Sequence, residues 1–180
     1  EPHFFAGYSG GNKMIAPGLA GIETILGLHS YKLIASDLST WASFDSNPIQ
    51  NEILNVSNKA PSNFSIEVNI NKNNEITSIY AGDPHKSHLA SIKSSEATSI
   101  QYVKNQFDLV ITTNSGYPLD QNLYQCVKGI SAASEIVKDN GTIICIAECR
   151  DGIPDHGYFF ETLSQPIKPT QILENINVFN

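Results

Sequence analysis

The chain has 180 residues, 41% apolar and 16% charged, with a formal net charge of −7. That length buries roughly 70% of the unfolded surface, enough for one good core or two small ones, and the composition describes a folded, mildly acidic chain. Only 11 lysines and arginines are present, which disfavours nucleic acid as a partner, and no apolar run approaches the ~20 residues of a membrane span.

No basic segment leads into an apolar one at the start, so no secretory signal is read there. The three cysteines, Cys126, Cys145 and Cys149, are odd in number and lack C-x-x-C spacing. They read as reduced thiols, mostly buried, in a cytoplasmic protein.

In chain order, the opening "EPHFFAGYSGGNKMIAPGLAGIETILGLH" is glycine-rich and carries His3, Lys13 and His29. Pro17 and Gly18 predict a helix start, with Leu19, Ile22, Ile25 and Leu26 at helical spacing and an end near His29. Ser46, Asn47 and Pro48 predict the next helix, with Ile49, Ile53, Leu54 and Val56 as its buried stripe up to about Lys59. The alternation of Phe64, Ile66, Val68 and Ile70, a turn at "NKNN" and a resumption at Ile76 predict a β-hairpin.

Asp83 and Pro84 then predict a capped helix, with Leu89, Ile92, Ala97, Ile100 and Val103 as apolar positions around a serine-rich centre. A domain junction is expected within or just after it. From Phe107 the pattern becomes strand "FDLVITT", loop "NSGYPLD", helix Gln121 to about Lys138, turn "DNG" and strand "TIICIAE". Two apolar strands joined by a helix predict a right-handed β-α-β crossover and a parallel pair. The expected fold class is therefore α/β, with two α/β units, the second containing that crossover. Ligands of such sheets bind at the carboxyl ends of the strands, which brings Asn114 to Asp120 and Glu148 to His156 into neighbouring loops.

Several motifs admit both a chemical and a plain reading. "GYSGGNKM" fails as a phosphate loop, because Asn12 separates Gly11 from Lys13 and Met14 stands where a hydroxyl residue belongs. It remains open between a turn whose amides hold one phosphate and a tight turn with a solvated lysine. In "DPHKSH", His85 and His88 share one helix face; first-turn surface histidines are expected over a metal pair. Asp151, Asp155 and His156 in "CRDGIPDHG" form either a functional loop cluster or polar turn residues. Gln125 and Lys128 in "YQCVK" lie three apart on a helix, able to hold a carboxylate or phosphate, or else forming a solvated face.

Taken together, "HFFAGYSGGNKMIAPGLAG", "TILGLH", "AGDPHKSH", "NSGYPLDQNLYQCVKG" and "AECRDGIPDHG" resemble the nickel-pincer-dependent lactate racemase family in content and order, from His3 to about Gly157. The resemblance implies an isomerase that interconverts enantiomers of lactate or a related 2-hydroxy acid by proton-coupled hydride transfer. Its cofactor is nickel held by a pyridinium-3,5-bisthiocarboxylic acid mononucleotide. By motif, Lys13 is the amine tethered to that nucleotide, His29 the protein ligand to nickel, and His3 one of two acid/base histidines. Gln125 and Lys128, with Tyr124 beside them, are implied to reach the substrate. The implied partners are a small 2-hydroxy acid and the enzymes that make and load the cofactor, with no nucleic acid and no membrane. Residues 1–95 correspond to the later part of an N-terminal catalytic and cofactor-binding domain, and 105–180 to part of a C-terminal α/β domain.

The second acid/base histidine and the family's substrate-binding Asp and Arg fall upstream of residue 1, so the chain reads as an inactive piece of a longer protein. Two alternatives stay open on the same scaffold: a racemase or epimerase of larger hydroxy acids or sugar acids, and a non-catalytic binding module that has lost the cofactor.

Overall fold

The computed structural model describes residues 1–154, 159–166 and 168–175, the last three as backbone only. The chain divides into two compact units, Glu1–Gln101 and Tyr102–Asn180.

In the first unit, β1 (Pro2–His3) and β2 (Gly7–Tyr8) form a small antiparallel pair with His3 opposite Gly7. A 3-10 turn, Gly11–Met14, follows. Helices α1 (Ile22–Leu28), α2 (Tyr31–Ile34) and α3 (Pro48–Ser57) complete the first half. The expected helix from Pro17 begins later, at Ile22, because Gly18 and Gly21 make helical backbone costly upstream of it. Its expected stripe is also largely solvent-facing: Leu19 is 86% exposed, and in α1 itself only Leu28 is buried.

The core here gathers Phe5, Ala6, Ala16, Leu28, Ile49 and Ile53. Each of the two α3 isoleucines, 1% exposed, contributes about 2 kcal/mol of burial. Asn47 starts α3 by accepting the Ile49 amide at 2.9 Å, with Pro48 in the first turn.

The hairpin is present as β3 (Ser65–Ile70) and β4 (Ile76–Gly82), antiparallel from Ser65↔Gly82 to Ile70↔Ile76. Asn71 builds its turn by accepting the amides of Asn73 and Glu75 at 2.9 and 3.1 Å. The hairpin rests on α4 (Pro84–Ser99), which Asp83 caps through the Lys86 amide at 3.0 Å.

The interface between hairpin and helix inverts the expected pattern. The buried residues of α4 are Ser87, His88, Ser91 and Ser95, not the apolar set, and Val103 lies beyond the helix. Ser65 shares a hydrogen bond with Ser87 (2.6 Å), and Asn69 bonds Ser91 at both its side chain (2.9 Å) and its carbonyl (3.1 Å). Small hydroxyl residues satisfy the polar strand face directly, so Ile66, Val68 and Ile70 point away from the helix and are exposed.

In the second unit, β5 (Phe107–Thr113) pairs in parallel with β6 (Val137–Ile146), from Leu109↔Thr142 to Thr113↔Ile146. Helix α5 (Leu123–Ser134) connects them, giving the expected β-α-β unit. Gly129 lets α5 approach the strands, since a Cβ there would sit 2.4 Å from the Thr113 carbonyl oxygen. The expected "DNG" turn is instead absorbed into β6, where Asn140 takes a positive φ of 64° beside a register shift. Asn tolerates that conformation, so the strand continues through it. Short helices α6 (Phe159–Ser164) and α7 (Pro169–Asn175) follow. Asp155 and His156 lie outside the described residues.

Candidate active site

Segment 3–8 is held from behind by α3. Asn47, fully buried, donates to the Phe5 carbonyl at 2.8 Å, and Gln50 donates to the carbonyls of Ala6 (2.6 Å) and Tyr8 (3.0 Å). Two polar side chains, the cap Asn47 and Gln50 on the buried face of α3, thereby supply these carbonyls with partners. The sequence marks Asn47 only as a helix start and gives Gln50 no role; the signal is the spacing 47, 50, 53, 57, which places them on the face of Ile53.

That backbone presents His3. Its Nδ1 accepts from the Ala6 amide at 3.2 Å, and more weakly from Phe5 at 3.5 Å. An amide can only donate, so a neutral His3 carries its proton on Nε2. Its ring meets Phe5 edge-on, with centroids 4.5 Å apart, and stacks on Phe4 at 5.0 Å.

His29 stands at the C-terminus of α1. Its Nδ1 donates to the Ile25 carbonyl at 2.7 Å, and its ring meets the same Phe5 edge-on at 5.2 Å. A carbonyl can only accept, so the neutral ring places its proton on Nδ1 and its lone pair on Nε2. This is the tautomer of a metal-ligating histidine whose other nitrogen is fixed by a backbone partner.

Lys13 lies on the 3-10 turn, half-buried. The turn is fastened through the Gly11 amide, which donates to Glu67 Oε1 at 3.1 Å, and through the Ser9 carbonyl, which His88 Nε2 reaches at 3.0 Å. His88 is therefore a buried residue, 5% exposed, and not the surface histidine expected from its place in the first turns of α4; only His85 is exposed. Burial holds its pKa below the ordinary imidazole value, against the Ser9 carbonyl and the Glu67 carboxylate, which favour the charged form. A cavity of about 150 Å³ adjoins, lined in part by Asn12, Asp45, Gln50, His85 and His88.

In the second unit, the loops that leave β5 and β6 are stitched together. Asp120, buried, accepts the Glu148 amide at Oδ2 (2.9 Å) and the Cys149 amide at its carbonyl (3.1 Å), while the Asp151 amide donates to Gln121 (2.8 Å). The two loops are neighbours at the carboxyl ends of their strands, as expected for the part described. Asn122 caps α5 by accepting the Gln125 amide at 3.0 Å.

One turn of α5 brings Gln125 and Lys128 together, with Lys128 Nζ donating to Gln125 Oε1 at 2.6 Å. The Gln125 oxygen is thus engaged, and the pair offers N–H donors to an anion. Tyr124, exposed, packs edge-on against Phe159 with centroids 5.5 Å apart.

Comparison with known proteins follows the same division. The model described as the lactate racemase N-terminal domain matches residues 1–42, and that of the lactate racemase C-terminal domain matches residues 102–180. The chain fits the lactate racemase family. It is 38% identical over 177 residues to the lactate racemase of Thermoanaerobacterium thermosaccharolyticum and 37% identical over 175 residues to that of Lactiplantibacillus plantarum. These matches cover 98% and 97% of this chain, yet the chain spans only 41% of the length of either relative. The solved lactate racemase apoprotein from T. thermosaccharolyticum superposes with a TM-score of 0.92 at 36% identity, covering 100% of this chain and 43% of that one.

Within the part matched to the lactate racemase N-terminal domain lie His3, Lys13 and His29; Tyr124, Gln125 and Lys128 lie within the part matched to its C-terminal domain. Glu67 and His88, which fasten the lysine turn, lie in the stretch between the two domain matches.

Proposed function

We propose that the complete protein to which this chain contributes racemises lactate or a closely related 2-hydroxy acid, with a nickel-pincer nucleotide tethered to Lys13. The observation that carries this reading is the 2.7 Å hydrogen bond from His29 Nδ1 to Ile25, which leaves Nε2 as the lone-pair nitrogen. Among the described residues no group of three or more His, Cys, Asp or Glu is arranged to hold a metal. The nucleotide implied by the resemblance would supply the other donors, since two sulfurs with a carbon beside one imidazole suit planar nickel.

His29 would hold the nickel, and Lys13 would hold the nucleotide once its amine is deprotonated and joined to it. When bound, that group supplies reversible hydride acceptance from the substrate's carbon. His3 handles the hydroxyl proton. In the tautomer that these contacts imply, Nε2 is the donor side, so accepting a proton there requires Nδ1 to exchange its two long amide contacts for a proton. Gln125 and Lys128 offer donors to the substrate carboxylate, with Tyr124 beside them.

The partners are a small 2-hydroxy acid and the enzymes that make the cofactor. No helix among the described residues is long and apolar enough to cross a membrane, and three unbridged thiols fit a cytoplasmic setting.

The test is mass spectrometry and metal analysis of the complete protein co-produced with cofactor-making enzymes. An added mass on Lys13 together with bound nickel is expected; an unmodified Lys13 without nickel overturns the reading. Profiling lactate against larger hydroxy acids and sugar acids then fixes the substrate.

A further inference from the structure

We propose that His88 is a positioning residue for Lys13, holding the Ser9–Gly11 turn so that the lysine is delivered to its modification site. This rests on Lys13 being the attachment point. Three observations carry it.

First, the contact is long-range and directional: His88 Nε2 lies 3.0 Å from the Ser9 carbonyl, 79 residues away in sequence. A carbonyl accepts, so the neutral ring has its proton on Nε2 and donates there. Second, the ring forms the wall on which the turn lies. A Cβ built on Gly11 would fall 2.2 Å from His88 Nδ1, and one on Gly10 would fall 3.4 Å from Nε2, so the glycine backbone occupies the space a side chain would take. Third, Glu67 closes the turn from β3 by accepting the Gly11 amide at 3.1 Å. A strand and a helix therefore grip the backbone two and four residues before Lys13, at Gly11 and Ser9, and Lys13's own amide returns to Gly10 at 3.2 Å.

Phe44 fixes the ring in turn, meeting it edge-on at 5.3 Å. Serines occupy the other buried positions of α4, and two of them, Ser87 and Ser91, bond the hairpin. His88 alone among the buried residues of α4 is seen to bond the glycine turn. A residue placed only to fill space would need neither a donor at Nε2 nor glycines laid across its face.

The test uses the complete protein made with and without cofactor-making enzymes, in four forms: wild type, His88→Phe, His88→Gln and Ser91→Ala. Phe keeps a ring but removes the donor; Gln keeps an amide donor near the Nε2 position. Ser91→Ala removes a buried hydrogen bond of α4 that does not touch the turn.

In the cofactor-free protein, His88→Phe should speed hydrogen exchange at the Gly11 and Lys13 amides about tenfold, the loss of one buried hydrogen bond. His88→Gln should restore most of the protection, and Ser91→Ala should leave both amides unchanged. In the co-produced protein, the fraction of Lys13 carrying added mass should fall severalfold in His88→Phe and recover in His88→Gln. Wild-type exchange and wild-type modification in His88→Phe would overturn the proposal. So would Ser91→Ala speeding exchange and lowering modification as much, since that would mark a general loss of stability. If even wild-type Lys13 stays unmodified, the proposed function fails, and amide exchange by itself decides whether His88 holds the turn.

Discussion

His3 and His29 share one aromatic neighbour: Phe5 meets both rings edge-on, at 4.5 and 5.2 Å between centroids. A buried phenylalanine, 8% exposed, thus fixes the proposed proton-handling group and the proposed metal ligand at the same time. Phe5→Ala should cost about 3–5 kcal/mol of stability in urea titration of the complete protein. Phe5→Leu, which keeps most of the volume, should fold yet bind nickel less tightly than wild type. Unchanged nickel content in Phe5→Leu would show that the shared ring does not matter to the ligand.

His29→Ala should remove nickel while leaving the added mass on Lys13, because attachment and ligation use different side chains. Metal analysis and intact mass on one sample separate the two. Retention of nickel would transfer the ligand role elsewhere.

Gly11 has φ of 55° and lies against the His88 ring. Gly11→Ala adds both backbone strain and a collision with that ring, and should cost about 2 kcal/mol or more. By contrast Gly27→Ala, on exposed α1 with nothing near its added Cβ, should be neutral or stabilising by up to about 1 kcal/mol. Thermal melts of the two variants provide the comparison.

Because burial depresses the pKa of His88 in the folded state, the unfolded chain binds more protons than the native one between the folded value and the ordinary 6.5. Its contribution to stability is therefore complete above about pH 6.5 and is lost as pH falls through the folded value. The Ser9 carbonyl and the Glu67 carboxylate work against this shift, while His85 adds to it. Urea midpoints from pH 7.5 to 5 should drop for wild type and drop less for His88→Phe.

Burial, with Cys149 Sγ 3.6 Å away, pushes the Cys126 thiol up to about 12. At neutral pH it should resist thiol alkylation in the native protein and react only after denaturation. Peptide mapping of the alkylated protein checks this; rapid native labelling of Cys126 would contradict it.

The sequence made the architecture readable where periodicity and burial agree. Asn47-Pro48 with Ile49 and Ile53 declared α3, and the apolar runs 107–113 and 142–146 declared the parallel pair. It misled at α4, where hydropathy ranks Leu89 and Ile92 above Ser87, Ser91 and Ser95. The serines are inside because the strand face they meet carries Ser65 and Asn69, whose hydrogen-bonding groups need partners. The same inversion hid His88: one polar residue among others has no signature in a linear pattern, and its partner Ser9 is distant in sequence. Lys13 and His29 were visible only through the company of surrounding motifs, since a glycine turn with a lysine has an ordinary solvated reading.

The Lys128–Gln125 bond has a consequence for recognition. A free lysine side chain samples many rotamers, and fixing it on an anion sacrifices up to ~2 kcal/mol of conformational freedom. Tied to Gln125 at 2.6 Å, Lys128 has given up part of that freedom before any anion arrives. In the proposed reading, a carboxylate docking at this face would meet a preorganised cation, so the loss of Gln125 would weaken the lysine's hold as well as remove its own donor.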